Sequence, residues 1–173
     1  VPSGNWNGVA TNLSARLIDS SATVTTGGRA DVSANGGTTA YSSGTVVLGT
    51  SVTAVNDAPV ASGSATLGAV LEDTSSPSGA TVSSLYASNF SDAADSVSSG
   101  SSANTLSGIA ITAYTADAAK GNWQYTTDGT TWTNIGTVSD ASALTLGVGA
   151  NDKLRFVPSG NWNGVATNLS ARL

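Results

Sequence analysis

The sequence contains no cysteine and no histidine. Without cysteine the chain has no disulfide, no thiolate metal ligand and no thiol nucleophile. Without histidine it has no imidazole metal ligand and no histidine general acid or base. Charged side chains make up only 10% of the residues, well below the usual quarter. A long chain rich in glycine and serine must therefore be braced by something other than disulfides.

Basic residues are especially scarce, with six Lys and Arg against eleven Asp and Glu and a net charge of -5. Nucleic acids bind positively charged patches, so a nucleic-acid partner is not expected. An acidic surface without cysteine fits an exported bacterial protein that binds divalent cations. No apolar run approaches the length needed to cross a bilayer, so no membrane insertion is expected in this segment.

The residues that are abundant, chiefly Ser, Thr, Gly, Ala, Asn and Val, favour an all-β fold. β-Branched residues cluster in short runs between regularly spaced turn signals, which indicates strands rather than disorder. Within 121–132, Asp128-Gly129 is a strong hairpin signal, and Trp123, Tyr125 and Trp132 are expected to pair across its ladder. Strands are predicted at 9–18, 45–55, 106–114, 121–132, 143–148 and 153–157.

One segment has helical rather than strand periodicity. Val82, Leu85, Tyr86 and Phe90 are spaced i, i+3, i+4 and i+8, which places them on one face of a helix. The pattern predicts a short helix packed against a sheet. The remainder predicts an immunoglobulin-like β-sandwich with this one short helix.

The chain contains an identical internal repeat. Residues 1–17 read VPSGNWNGVATNLSARL, and residues 157–173 read the same, at an offset of 156 residues. Identity by chance over such a length is negligible. The chain therefore holds one full period plus a short overlap, as expected for a tandem repeat array.

The boundary between successive repeats is predicted at AVNDAPV (54–60), within a linker at about 54–62. Residues 1–57 are interpreted as the C-terminal part of one repeat, and residues 58–173 as the N-terminal part of the next. Each part then has an open sheet edge, which is a site for strand addition. The expected partners are neighbouring identical repeats, whose parts complete each other by strand complementation, either head to tail between molecules or along one continuous fibre. A permuted monomer, with 18–57 folded back onto 58–173, is a further alternative.

Five motifs in order resemble bacterial cadherin-like or VCBS-type repeats of large secreted, RTX-type adhesins. They are AVNDAPV (54–60), LEDT (71–74), FSDAAD (90–95), GNWQYTTDGTTW (121–132) and DKLRFVPSGNWNG (152–164). The resemblance spans nearly the whole period. It implies an immunoglobulin/cadherin-like β-sandwich that acts as a structural extender, is exported by type I secretion to the cell surface or medium, and is stiffened by calcium at domain junctions.

Calcium takes six to eight oxygen ligands, and the resemblance assigns this role to acidic and amide side chains in three of the motifs. They are expected to meet at one pole of the module. The chain departs from the family at Ala54, where the vertebrate cadherin linker has an acid, and it has no EF-hand or glycine-rich nonapeptide. The predicted ligands are Asn56, Asp57, Glu72, Asp73, Asp92 and Asp95.

Two other functions compete with the extender. Trp6, Trp123, Trp132 and Trp162 could stack on sugars as a carbohydrate-binding module, although aromatic side chains more often pack a core. The chain could also be a self-assembling fibre subunit joined by strand exchange. Enzymatic activity is not expected, because the acids lie in Ser/Gly turns and neither a G-x-S-x-G elbow nor a phosphate loop is present.

Overall fold

The computed structural model describes residue 1 and residues 3–173. It consists mostly of strands in several small antiparallel sheets with one short helix, which confirms the all-β class. The chain forms two compact units. The first comprises Val1–Asn56 with Asp95–Ser102, and the second comprises Asp57–Ala94 with Ala103–Leu173. The division at 56/57 lies within the predicted linker; the assignment of the parts to successive repeats stays a prediction.

The first unit is built on one antiparallel hairpin. Its strands are β1 (Gly8–Val9), β2 (Leu13–Ala15), β3 (Val46–Leu48) and β4 (Ser51–Val52), and β1 pairs with β4 while β2 pairs with β3. The pairing continues past β2, because the Asp19 amide donates to the Ala40 carbonyl at 3.0 Å. Residues 8–19 and 40–52 are therefore the two arms of one ribbon, and we call them the ribbon below.

The ribbon has an apolar face that is exposed. The register places Leu13 opposite Leu48 and Ala15 opposite Val46, so these four side chains lie on the same face. Leu13 and Leu48 are each 67% exposed, and Val46 is 53% exposed. The buried hydrophobic side chains of the described residues all lie in the second unit.

The second unit carries two larger sheets and one small one, all antiparallel. A four-stranded sheet has the order β10-β9-β12-β6, a three-stranded sheet has the order β11-β8-β13, and β5 pairs with β7. The strands are β5 (Val60–Ala61), β6 (Ala80–Thr81), β7 (Phe90–Ser91), β8 (Gly108–Tyr114), β9 (Gly121–Thr126), β10 (Thr133–Asn134), β11 (Leu144–Gly147), β12 (Lys153–Pro158) and β13 (Leu169–Arg172).

The core of the second unit draws side chains from both larger sheets and from the helix. In β8, Ile109 and Ile111 are buried, whereas Ala110 and Thr112 are only partly buried, as the two-residue period of a strand requires. Leu154 of β12 belongs to the other sheet and is 1% exposed. The buried cluster consists of Val82, Ile109, Ile111, Ile135, Leu146 and Leu154.

Helix α1 (Val82–Tyr86) confirms the predicted short helix. Thr81 caps it, because its hydroxyl accepts a hydrogen bond from the Ser84 amide at 3.2 Å. The prediction was wrong for Phe90, which follows a 3-10 turn and pairs with Ala61 between β7 and β5. The strand pairing ends the helical periodicity after one turn. Among the described residues, no helix has both the length and the apolar character that a membrane span needs.

The hairpin at Asp128-Gly129 is confirmed, but its ladder is shorter than predicted. Thr133 pairs with Tyr125. The carboxylate of Asp128 accepts hydrogen bonds from the amides of Thr130 at 2.7 Å and Thr131 at 2.6 Å, so the turn extends to residue 131. Trp132 therefore precedes the ladder, and its predicted cross-strand pairing was wrong.

We expect Ile111→Ala to lower the free energy of unfolding by about 2–5 kcal/mol, because it removes a fully buried side chain and leaves a cavity. Leu71→Ala is the matched control. Leu71 is 82% exposed in the same unit, and its truncation should change the free energy by no more than about 0.5 kcal/mol. Urea unfolding followed by tryptophan fluorescence measures both. Equal effects of the two substitutions would contradict the assigned core.

Hydrogen bonds from Thr131, and then from the amide of Thr130, hold the pKa of Asp128 well below its ordinary value. A folded-state pKa below the unfolded one gives stability that is present above the unfolded pKa and lost as the pH falls through the folded one. Asp128→Asn should therefore flatten the loss of stability between about pH 5 and about pH 2. Urea midpoints across this range test the effect. If the stability of Asp128→Asn depends on pH as that of the wild type does, the turn does not lower the pKa of Asp128.

Candidate functional site

The LEDT motif contacts the second copy of the repeated sequence. The Asp73 carboxylate accepts a hydrogen bond from the Asn161 amide at 2.8 Å, and the Glu72 carboxylate accepts one from the Asn163 side-chain amide at 3.2 Å. Asp73 itself has a φ of 64°, in the left-handed region that Asp tolerates better than most residues. These two exposed acids therefore tie loop 71–74 to the turn after β12.

Asp92 follows β7 and is the most buried of the predicted ligands, at 6% exposure. One carboxylate oxygen, Oδ2, accepts a hydrogen bond from the Asn104 amide at 2.5 Å. The other, Oδ1, is buried and has no hydrogen-bond partner among the described residues. A buried carboxylate oxygen without a partner is costly, so this is where the chain best fits a bound cation.

A second buried oxygen without a partner lies three residues earlier. The side-chain amide of Asn89 donates to the Ser62 carbonyl at 2.6 Å, which fixes its orientation. Its Oδ1 is buried and lacks a partner among the described residues. Asn89 was not among the predicted ligands. Its position beside the FSDAAD motif is the only signal that the sequence offers for it.

The other three predicted ligands are distributed over the two units. Asn56 ends the continuous part of the first unit, and Asp57 begins the second. Asp95 belongs to the first unit and is 7% exposed, and its backbone carbonyl accepts the Ser101 hydroxyl at 2.6 Å. All three have interaction partners of their own.

The predicted ligands do not form one cluster. Residue 1 and residues 3–173 include no group of three or more acidic side chains placed to hold a metal ion together. Glu72 and Asp73 are engaged by the loop after β12, whereas Asp92 is engaged by Asn104. The LEDT and FSDAAD acids thus accept hydrogen bonds from different donors, and no described group of three or more acidic side chains combines them.

Arg155 is a buried charge that the sequence analysis did not single out. It lies in β12, is 8% exposed, and its guanidinium carbon lies 4.1 Å from the centroid of the Trp132 ring. Its Nε donates to the Gln124 side-chain oxygen at 2.7 Å, and its Nη1 donates to the Pro77 carbonyl at 3.2 Å. Arg155 therefore ties the segment before β6 to the four-stranded sheet; the only sequence signal was an arginine between the apolar residues Leu154 and Phe156.

Gly79 allows the chain to pass close to this sheet. A Cβ at this position would lie 2.4 Å from the Leu154 carbonyl oxygen and 3.0 Å from the Trp132 ring. Its φ of 68° is also in the left-handed region, which glycine adopts without strain. The glycine is therefore required where the segment crosses Arg155 and Trp132.

The tryptophans of the second unit are engaged in packing. The Trp123 indole donates to the Thr167 carbonyl at 2.7 Å. The Phe156 ring makes edge contacts with Trp123 at 5.5 Å and with Trp162 at 6.0 Å between centroids. These contacts, with that of Arg155 on Trp132, favour the packing role over a sugar-binding platform.

The repeated sequence occurs in two different environments. In the second unit, Leu169, Ala171 and Leu173 pack against the core. Their equivalents in the first unit, Leu13, Ala15 and Leu17, are exposed.

Comparisons of this chain with family models, with curated proteins and with solved structures give no match. The resemblance to cadherin-like and VCBS-type repeats therefore stays a prediction from the five motifs.

Proposed function

We propose that this chain is part of a structural extender in a large extracellular bacterial adhesin or fibre. The observation that carries the proposal is the identity of residues 1–17 and 157–173 at an offset of 156 residues. Units repeated at a constant period multiply length and carry tension in series. The composition agrees with this role, because a chain without histidine or cysteine lacks the side chains on which much enzyme chemistry depends.

The finer architecture that we propose is an immunoglobulin/cadherin-like β-sandwich. Its support is the core of the second unit, where Ile111 of the three-stranded sheet and Leu154 of the four-stranded sheet belong to one buried cluster. The longest ladder pairs Lys153–Pro158 of β12 with Gly121–Thr126 of β9, residue by residue. Adjacent long antiparallel strands of this kind suit a module that bears tension.

We further propose that calcium stabilises this module at Asp92. The support is the buried Oδ1 of Asp92 and the buried Oδ1 of Asn89, which are hard oxygen donors of the kind that calcium prefers. The ion would neutralise the buried carboxylate of Asp92. Because such an ion binds only the folded state, folding would be favoured in a calcium-rich extracellular medium.

The calcium proposal predicts opposite effects of one substitution under two conditions. In EDTA, Asp92→Asn should be at least as stable as the wild type, because it removes a buried charge whose Oδ1 has no partner. In millimolar calcium, the wild type should gain melting temperature and Asp92→Asn should not. Differential scanning calorimetry with and without calcium measures both effects.

Asp31→Asn is the control for this experiment, because Asp31 is an exposed acid that is not among the predicted ligands. It should keep the full response to calcium. A wild-type melting temperature that is the same in calcium and EDTA would rule out the bound ion. The extender would then be a sandwich held by its core alone.

The extender role predicts how size grows with the number of repeats. Chains lengthened by one and two further 156-residue periods should show a maximum dimension that rises by a constant increment per period. Small-angle X-ray scattering gives this dimension directly. Growth with only the cube root of chain length would indicate a compact particle and would refute the extender.

A further inference from the structure

We propose that the ribbon of one copy docks on β8 of a second copy, where it takes the place of β13. The partner is thus a second copy of this chain, and the surface is the edge of β8 together with the core face beside it. The proposal goes beyond the extender role and does not depend on calcium. It stands on the repeated sequence and on the exposure of its first copy.

The acceptor site is defined by the contacts that β13 makes. Leu169 pairs with Tyr114 of β8, and Ser170 pairs with Ala113. Leu169, Ala171 and Leu173 pack against the buried core. Because β13 is the last strand in the order β11-β8-β13, its outer edge has no partner strand among the described residues.

The donor is the matching segment of the ribbon. β2 lies in a two-stranded sheet with β3, so one of its edges has no partner strand in the described part of the chain. Its residues Leu13 and Ala15, with Leu17 beyond it, correspond to Leu169, Ala171 and Leu173. All three are exposed, although the same side chains pack against a core in the second copy of the sequence.

The polar contacts of β13 can be reproduced by the same exchange. The Thr167 carbonyl accepts the Trp123 indole, and Arg172 pairs with Asp140 at 3.0 Å. Thr11 and Arg16 stand at the corresponding positions of the ribbon. The incoming segment therefore brings every group that the acceptor already binds, in the same order and spacing.

Docking of the ribbon would also add β3 beside the strand that replaces β13. β3 is already paired with β2, so docking would extend the sheet to β11-β8-β2-β3. Val46 and Leu48 share the apolar face of Leu13 and would be carried to the core side with it. Exchange thus preserves the contacts of β13 and adds a strand, at the cost of bringing two molecules together.

Each copy has one donor and one acceptor, so the contact is heterologous. Copies joined in this way form an open chain unless the geometry closes a ring. β13 belongs to the same chain as the β8 with which it pairs, so its effective concentration at that edge is high. Exchange is therefore expected to depend on protein concentration and to be fastest when molecules refold together.

Engineered cysteine pairs test the exchange directly, because the chain has no cysteine of its own. The exchange pair is Ser14→Cys with Ala113→Cys. The control pair is Ser170→Cys with Ala113→Cys, which face each other in the structure. All three positions are exposed, and directly opposed residues of an antiparallel ladder are close enough for a disulfide. Both full-length variants are refolded across a range of concentrations, oxidised, and resolved by non-reducing electrophoresis.

The control pair is expected to close within a monomer. The exchange pair is expected to give a ladder of linked dimers and larger species that grows with concentration. An exchange pair that forms no link between molecules at any concentration would overturn the proposal. So would an exchange pair that closes within a monomer, because the ribbon would then occupy its own second unit.

One substitution placed in each copy of the repeat separates exchange from nonspecific aggregation. In the exchange-pair background, Leu13→Ser should weaken the ladder, because it removes an apolar contact of the donor. Leu169→Ser should strengthen the ladder, because it weakens the resident segment. Ladders that respond equally to both substitutions would contradict strand exchange. Both substitutions leave the 156-residue period and Asp92 unchanged, so strand exchange can fail while the extender role and the calcium site stand.

Discussion

The burial of Ile111 and Leu154 in one core is the interaction on which the rest of this structure depends. The chain has no disulfide, and few of its side chains are large and apolar, so the second unit relies on this cluster for its tertiary stability. Each attached element reaches the cluster through a few contacts: α1 through Val82, and the last strand through Leu169 and Ala171. The first unit has no such cluster among its described residues, and its apolar side chains remain at the surface.

The polar side chains show how a chain with so few charges uses them. Glu72 and Asp73 accept hydrogen bonds from the loop after β12, and Asp128 accepts them from backbone amides of its own turn. Arg155 is buried over Trp132, where it donates to the Pro77 carbonyl of the segment that precedes β6. Asp92 differs, because one buried oxygen is left without a partner. That contrast is the reason for proposing a cation at Asp92.

The sequence patterns predicted elements whose cause is local. The Asp128-Gly129 turn and the helix at Val82 formed as expected, because each depends on residues within a few positions. Patterns that required a distant partner were less reliable. Phe90 pairs with Ala61 in a strand instead of lying on the predicted helical face. Trp132 contacts Arg155 instead of pairing across the predicted hairpin ladder. The candidate site shows the same limit: motif matching identified Asp92, but only the fold revealed its unpaired oxygen and that of Asn89.

By itself, the sequence determined the period of the repeat, the β class and the absence of cysteine and histidine chemistry, because these follow from composition and identity alone. Tertiary structure decided what the repeated segment does in each place. Asn7 exchanges hydrogen bonds with Ser101, whereas its equivalent Asn163 donates to Glu72. Leu13 is exposed, whereas Leu169 packs against a core. Identical residues diverge because burial and hydrogen bonding depend on which chain segments lie beside them, and that is set by distant parts of the chain.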